Sequence, residues 1–187
     1  MIALLFFNFV PILSPFWENL LNGKSGISRI DHFDTEKIDS KISGRVRDFA
    51  PQDLINVKDL KRMDRFTQFA VVASINALKD SGLEINENNN KLTGVFVGSG
   101  VGGLSTIEEQ HQKLLEKGAD RVSPFLIPMM ISNMAAAQVS IFTGAKGPVN
   151  TTTTACAAGS NAIGDAFEMI KRGAADIMIS GGSEATI

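Results

Sequence analysis

Gly147-Pro148-Val149-Asn150-Thr151-Thr152-Thr153-Thr154-Ala155-Cys156-Ala157-Ala158-Gly159-Ser160 reads as a β-run breaking into a helix start built of small residues, with a thiol at the junction. Val149 and the four threonines are β-branched and favour a strand over 149–154. From Cys156 to Arg172 the apolar residues Ile163, Ala166, Phe167 and Ile170 predict one buried helical face. A helix N-terminus offers N–H groups without intrahelical partners and a partial positive charge. Both favour thiolate, the nucleophilic form of cysteine. Cys156 is the only cysteine, and two readings compete for it: a nucleophile toward an acyl thioester, or a small buried hydrophobe. Ala155, Ala157, Ala158 and Gly159 favour the first, because they leave a bulky acyl group room to reach sulfur.

Outward from this stretch, strands alternate with helices. Thr93–Gly98 reads as a short buried strand, Ser99–Gly103 as a turn, Leu104–Glu116 as a helix, and 174–180 as a last apolar strand. Lys58–Lys79 reads as one helix, with Phe66, Phe69, Ala70, Ala73 and Ala77 at helical spacing and Ser81-Gly82 stopping it. Pro124–Pro128 reads as a loop or single turn, and Met129–Phe142 as a helix of small residues. Pro15–Leu21 reads as a short helix capped by Ser14, and 30–56 as an irregular excursion with a short strand near Gly44–Phe49. The alternation implies an α/β layered domain.

Composition narrows the function classes. With 18 Lys+Arg against 20 Asp+Glu the net charge is −2, which argues against a general nucleic-acid binder. One cysteine excludes an internal disulfide framework and fits a reducing cytoplasmic setting. Two histidines and one cysteine are too few for a zinc site, so no metal is expected. The apolar start of the chain is too short to span a bilayer as a helix and lacks the basic flank of a signal peptide.

Three further motifs divide between bland and chemical readings. Gly98-Ser99-Gly100-Val101-Gly102-Gly103 follows a strand and precedes a helix, but its spacing is not that of a dinucleotide loop; close backbone packing beside a pocket is the better reading. His32 and His111 both lie in polar surroundings that favour solvated side chains. The basic run Lys58, Lys61 and Arg62 is either a solvated face or a docking patch for an acidic partner.

Taken together, Gly23–Ile27, Arg62–Phe66, Val97–Gly103, Ser123–Met130, Asn133–Ala136, Gly144–Pro148, Thr154–Ala157 and 176–185 resemble the N-terminal half of a β-ketoacyl-acyl-carrier-protein synthase, of the elongating type II group. The resemblance implies a thiolase-like fold, layered α-β-α-β-α in the full family and usually dimeric. It implies that Cys156 accepts an acyl chain from the phosphopantetheine of acyl carrier protein, before decarboxylative condensation with malonyl-carrier protein. On the same basis Val101, Phe125 and Leu126 line the acyl site, Lys58, Lys61 and Arg62 meet the carrier protein, and the 151–154 strand pairs across a homodimer. No bound cofactor, membrane or nucleic acid is implied.

The chain also departs from the pattern. Residues 1–16 are read as an aberrant apolar N-terminus, a candidate remnant of the first strand, and 17–187 as a truncated synthase N-terminal domain. The family's two catalytic histidines and assisting lysine belong to its second half, so this chain alone is expected to accept an acyl group without completing condensation. The competing readings are a non-catalytic fragment that dimerises or binds carrier protein, and a polyketide-type ketosynthase.

Overall fold

The structure, a computed structural model, describes residues 2–4 and 13–187, with side chains from Trp17 onward. In chain order its elements are β1 (Ile2–Leu4), α1 (Leu13–Leu21), β2 (Ile27–Arg29), β3 (Ile42–Gly44), α2 (Val57–Leu60), α3 (Arg65–Ser81) and β4 (Thr93–Gly98). There follow α4 (Leu104–Lys117), α5 (Leu126–Met130), α6 (Met134–Thr143), β5 (Val149–Asn150), α7 (Ala158–Lys171) and β6 (Ile177–Gly182). β1 together with Pro51–Thr186 makes one compact unit, and the segment holding α1, β2 and β3 through Ala50 makes another. Residues 5–12, on which most of the apolar N-terminal reading falls, lie outside the described residues.

In the larger unit β1, β6, β4 and β5 lie side by side in a parallel sheet. Val95 pairs with Ile179 and Phe96 with Ser180 in the centre. Central parallel strands are covered on both faces, which is why Thr93–Gly98 carries no polar alternation. Phe96 and Met178 cluster with Ala162 and Ala166 of α7. Strand side chains alternate, so Val95, Val97 and Ile179 point to the other face, where they are fully buried. α6 packs against β4, and α3 against α6. In the smaller unit β2 and β3 form an antiparallel pair, with Ile27 opposite Gly44.

Several elements differ from their sequence expectations. The buried stripe of α7 is Ala158, Ala162 and Ala166, while Phe167 is 51% exposed. Alanines four residues apart let the helix sit close on the sheet, and Phe167 is turned about 100° from Ala166. The strand expected near Gly44–Phe49 ends at Gly44, α1 begins at Leu13 rather than after a Ser14 cap, α6 begins at Met134, and 126–130 is a short helix.

The expected helix over 58–79 is two helices, because Asp64 interrupts it. Asp64 is buried and caps α3, accepting from Phe66 N at 3.2 Å. Its other oxygen accepts from Thr106 Oγ1 at 2.6 Å and Thr106 N at 3.3 Å in the first turn of α4. Gln68 Nε2 donates to the carbonyls of Leu60 and Met63, filling the acceptors that the break leaves open. At the far end Gly82 closes α3 in the left-handed conformation, φ +65°. Asp64→Ala removes a cap and strands two buried donors, so we expect a loss of about 2–4 kcal/mol in urea unfolding. Asp64→Asn, which keeps one carbonyl oxygen, should cost less.

Candidate active site

Cys156 is a free, exposed cysteine, so the buried-hydrophobe reading does not hold. It lies in a 3-10 turn, Ala155–Ala157, that runs directly into α7. The strand expected over 149–154 stops at Asn150, and two of the four threonine hydroxyls bind the following helix. Thr152 Oγ1 donates to Asp165 Oδ2 at 3.1 Å and Thr154 Oγ1 to Asn161 Oδ1 at 2.9 Å. Ser99 N donates to the Thr152 carbonyl at 3.2 Å and ties this segment to the end of β4. Ala155 then adopts φ +49°, a left-handed conformation costing a residue with a side chain roughly 1–2 kcal/mol. That reversal of the chain immediately precedes Cys156.

Glycines bring this turn down onto the sheet. A Cβ on Gly98 would lie 2.3 Å from the Ala158 carbonyl oxygen, and one on Gly182 would lie 2.7 Å from Gly159 Cα. Gly98 and Gly182 are register partners, so the last residues of both central strands admit the first turn of α7 at backbone contact. The thiol is thereby held at the carboxyl ends of parallel strands, where α/β sheets bind their ligands.

The Ser99–Gly103 turn forms the adjoining wall. A Cβ on Gly100 would lie 3.3 Å from Ala155 Cα, so the turn abuts the residue preceding the cysteine. Glu184, just beyond β6, accepts from Gly100 N at 2.7 Å and Val101 N at 3.2 Å through Oε2, and from Ser99 Oγ at 3.3 Å through Oε1. Ser99 Oγ in turn accepts from Gly102 N at 3.1 Å. Gly102, at φ +77°, has room for its backbone alone, since a Cβ there would lie 2.4 Å from the Met130 carbonyl oxygen. These contacts fit the close-packing reading of the glycine run.

Residues 6–187 match the family described as Beta-ketoacyl synthase, N-terminal domain. The chain belongs to the β-ketoacyl synthase family. The chain is 52% identical over 171 residues to 3-oxoacyl-[acyl-carrier-protein] synthase 2 of Staphylococcus aureus, covering 91% of its own length and 42% of that protein's. It is 50% identical over 175 residues to the protein of the same name from Synechocystis, covering 94% and 42%. It thus spans about two fifths of the length of these relatives. The ishigamide ketosynthase/chain length factor superposes with a TM-score of 0.83 at 28% identity, over 93% of this chain and 44% of that one. A type II polyketide ketosynthase in complex with its acyl-carrier protein superposes at 0.71 with 30% identity, over 75% and 40%.

The other sequence-predicted residues fall in two places. Val101 stands 49% exposed on the turn beside the cysteine. Phe125 is exposed and Leu126 half-buried at the start of α5, whose end presses on Gly102 and Gly103. Lys58, Lys61 and Arg62 are exposed in and just after α2. The two groups meet where the Arg62 guanidinium covers the Phe125 ring, 4.6 Å from its centroid. His111 is exposed on α4, and His32 bonds Arg45 in the smaller unit through Nδ1 at 2.7 Å. Sequence reasoning gave Glu184 no role of its own, although it lies in the 176–185 stretch that carries the resemblance. Its one signal was an acidic residue following an apolar strand and Gly181-Gly182, with no partner nearby in sequence. Among the described residues no helix is long and apolar enough to cross a membrane.

Proposed function

We propose that this chain carries the acyl-accepting centre of a 3-oxoacyl-acyl-carrier-protein synthase in fatty acid biosynthesis, with Cys156 as the nucleophile. The observation that carries the reading is the exposed thiol of Cys156, held at the strand ends by a left-handed turn and glycine contacts. The Cys156 sulfur attacks the thioester carbonyl of an acyl-carrier protein. A new carbon–sulfur bond forms, the bond to the phosphopantetheine sulfur breaks, and the departing sulfur takes up the proton that the Cys156 thiol gives up, so the carrier leaves as its thiol. The Cys156 N–H stabilises the charge that develops on the carbonyl oxygen. Covalent storage separates loading from the later condensation with malonyl-carrier protein.

Val101, Phe125 and Leu126 line the path of the acyl chain, and Lys58, Lys61 and Arg62 receive the acidic carrier protein. The segment 151–154 pairs with a second copy in a homodimer. The phosphopantetheine arrives on the carrier, so no resident cofactor is needed, and a lone free thiol suits the cytoplasm. Relatives named 3-oxoacyl-[acyl-carrier-protein] synthase 2 are 50–52% identical, against 30% for the type II polyketide ketosynthase, which favours the 3-oxoacyl synthase reading.

The test is incubation with dodecanoyl-acyl-carrier protein, followed by intact mass and peptide mapping. One dodecanoyl group on Cys156 supports the reading; folded protein without an adduct, or with the adduct elsewhere, overturns it. Reversing two docking charges (Lys58→Glu and Lys61→Glu together), and sparing Arg62 because it covers the acyl-path residue Phe125, should slow loading from carrier protein by about ten-fold or more at low salt. Loading from a free phosphopantetheine thioester should stay within about two-fold, because that donor has no acidic surface to steer.

A further inference from the structure

We infer that Glu184 is a positioning residue for acyl loading, and that its carboxylate sets the chain-length selectivity of the Cys156 site by clamping the Ser99–Val101 turn. The inference deepens the acyl-transfer reading and rests on it. Oε2 of Glu184 sits in the cup of two successive backbone donors, Gly100 N at 2.7 Å and Val101 N at 3.2 Å. Oε1 takes the Ser99 hydroxyl at 3.3 Å. Successive N–H groups directed at one anion form a rigid nest, and charge-assisted bonds of this kind are about twice as strong as neutral ones.

The carboxylate itself is well anchored. The preceding residue, Ser183, donates its backbone N–H to the Gly98 carbonyl at 2.9 Å and its hydroxyl to the Phe66 carbonyl at 2.5 Å. Glu184 is thus fixed to β4 and α3, and it holds the turn that abuts Ala155. Gly100 contributes no side chain, so its backbone alone separates the Glu184 carboxylate from the cysteine turn. Val101, the first side chain past that contact, stands exposed beside the thiol's turn. Without the carboxylate, two backbone donors lose their acceptor and the Val101 wall is no longer held in one place. A wall free to shift no longer distinguishes long chains from short ones.

The test compares acylation of Cys156 by dodecanoyl- and acetyl-phosphopantetheine thioesters in the full chain, read by intact mass. The ratio of the two rate constants cancels any unfolded fraction, since misfolding lowers both equally. Wild-type protein should discriminate, Glu184→Ala should move the ratio toward one by on the order of ten-fold, and Glu184→Gln, which keeps one acceptor oxygen, should restore part of it. A wild-type ratio already near one, or an unchanged ratio in Glu184→Ala, overturns the role of Glu184. Wild-type protein that accepts neither chain overturns the acyl-transfer reading itself.

Discussion

Cys156→Ala should take up no acyl group from any thioester donor, and Cys156→Ser should load slower by on the order of 10³-fold or more. A serine hydroxyl carries far less anion near neutral pH than a thiol does, and no base is hydrogen-bonded to residue 156 among the described contacts. Because Cys156 is exposed, neither change leaves a cavity, and unfolding free energy should stay within about 0.5 kcal/mol of the parent. Loss of labelling with an unchanged denaturation curve separates chemistry from folding. Residual acylation of Cys156→Ala at the parent rate would move the nucleophile elsewhere in the chain.

The second large effect is expected at Gly98, which lends the site no side chain. Its added methyl in Gly98→Ala would fall 2.3 Å from a backbone carbonyl oxygen that cannot rotate away. The first turn of α7 must lift from the sheet, carrying the cysteine turn with it. We expect a loss of about 1–3 kcal/mol in stability. We also expect loading by Cys156 to fall roughly 10–100-fold, since small displacements of a positioned nucleophile are costly. Gly164→Ala is the matched control in the same helix. A Cβ there meets nothing within 4 Å, so it should gain about 0.5–1 kcal/mol through helix propensity and keep its loading rate. Equal effects at both glycines would mean that the contact of α7 with the strand ends does not place the thiol.

Much of this chain was legible from local pattern. The β4 run Thr93–Gly98 and the helices α4 and α7 stand close to their expected places, because buried strands and amphipathic helices advertise themselves by period. The placing of Cys156 at a helix start among small residues was likewise visible, since that turn and its neighbours are adjacent in sequence. The breaks were not. The helix around Asp64 is divided by a carboxylate bonded to Thr106, 42 residues further on. Past Asn150 the threonine run leaves the sheet, and the hydroxyls of Thr152 and Thr154 find Asp165 and Asn161 on the following helix.

The order of strands and helices, the identity of the thiol and the small residues around it are properties of the chain read alone, because each depends on neighbours a few positions away. The stacking of Gly98 on Ala158 and of Gly182 on Gly159, the pairing of Arg62 with Phe125, and the hold of Glu184 on Gly100 and Val101 were decided only by the fold. Each joins residues distant in sequence, whose spacing carries no period and whose attraction exists only once parallel strands and their covering helices have brought them together.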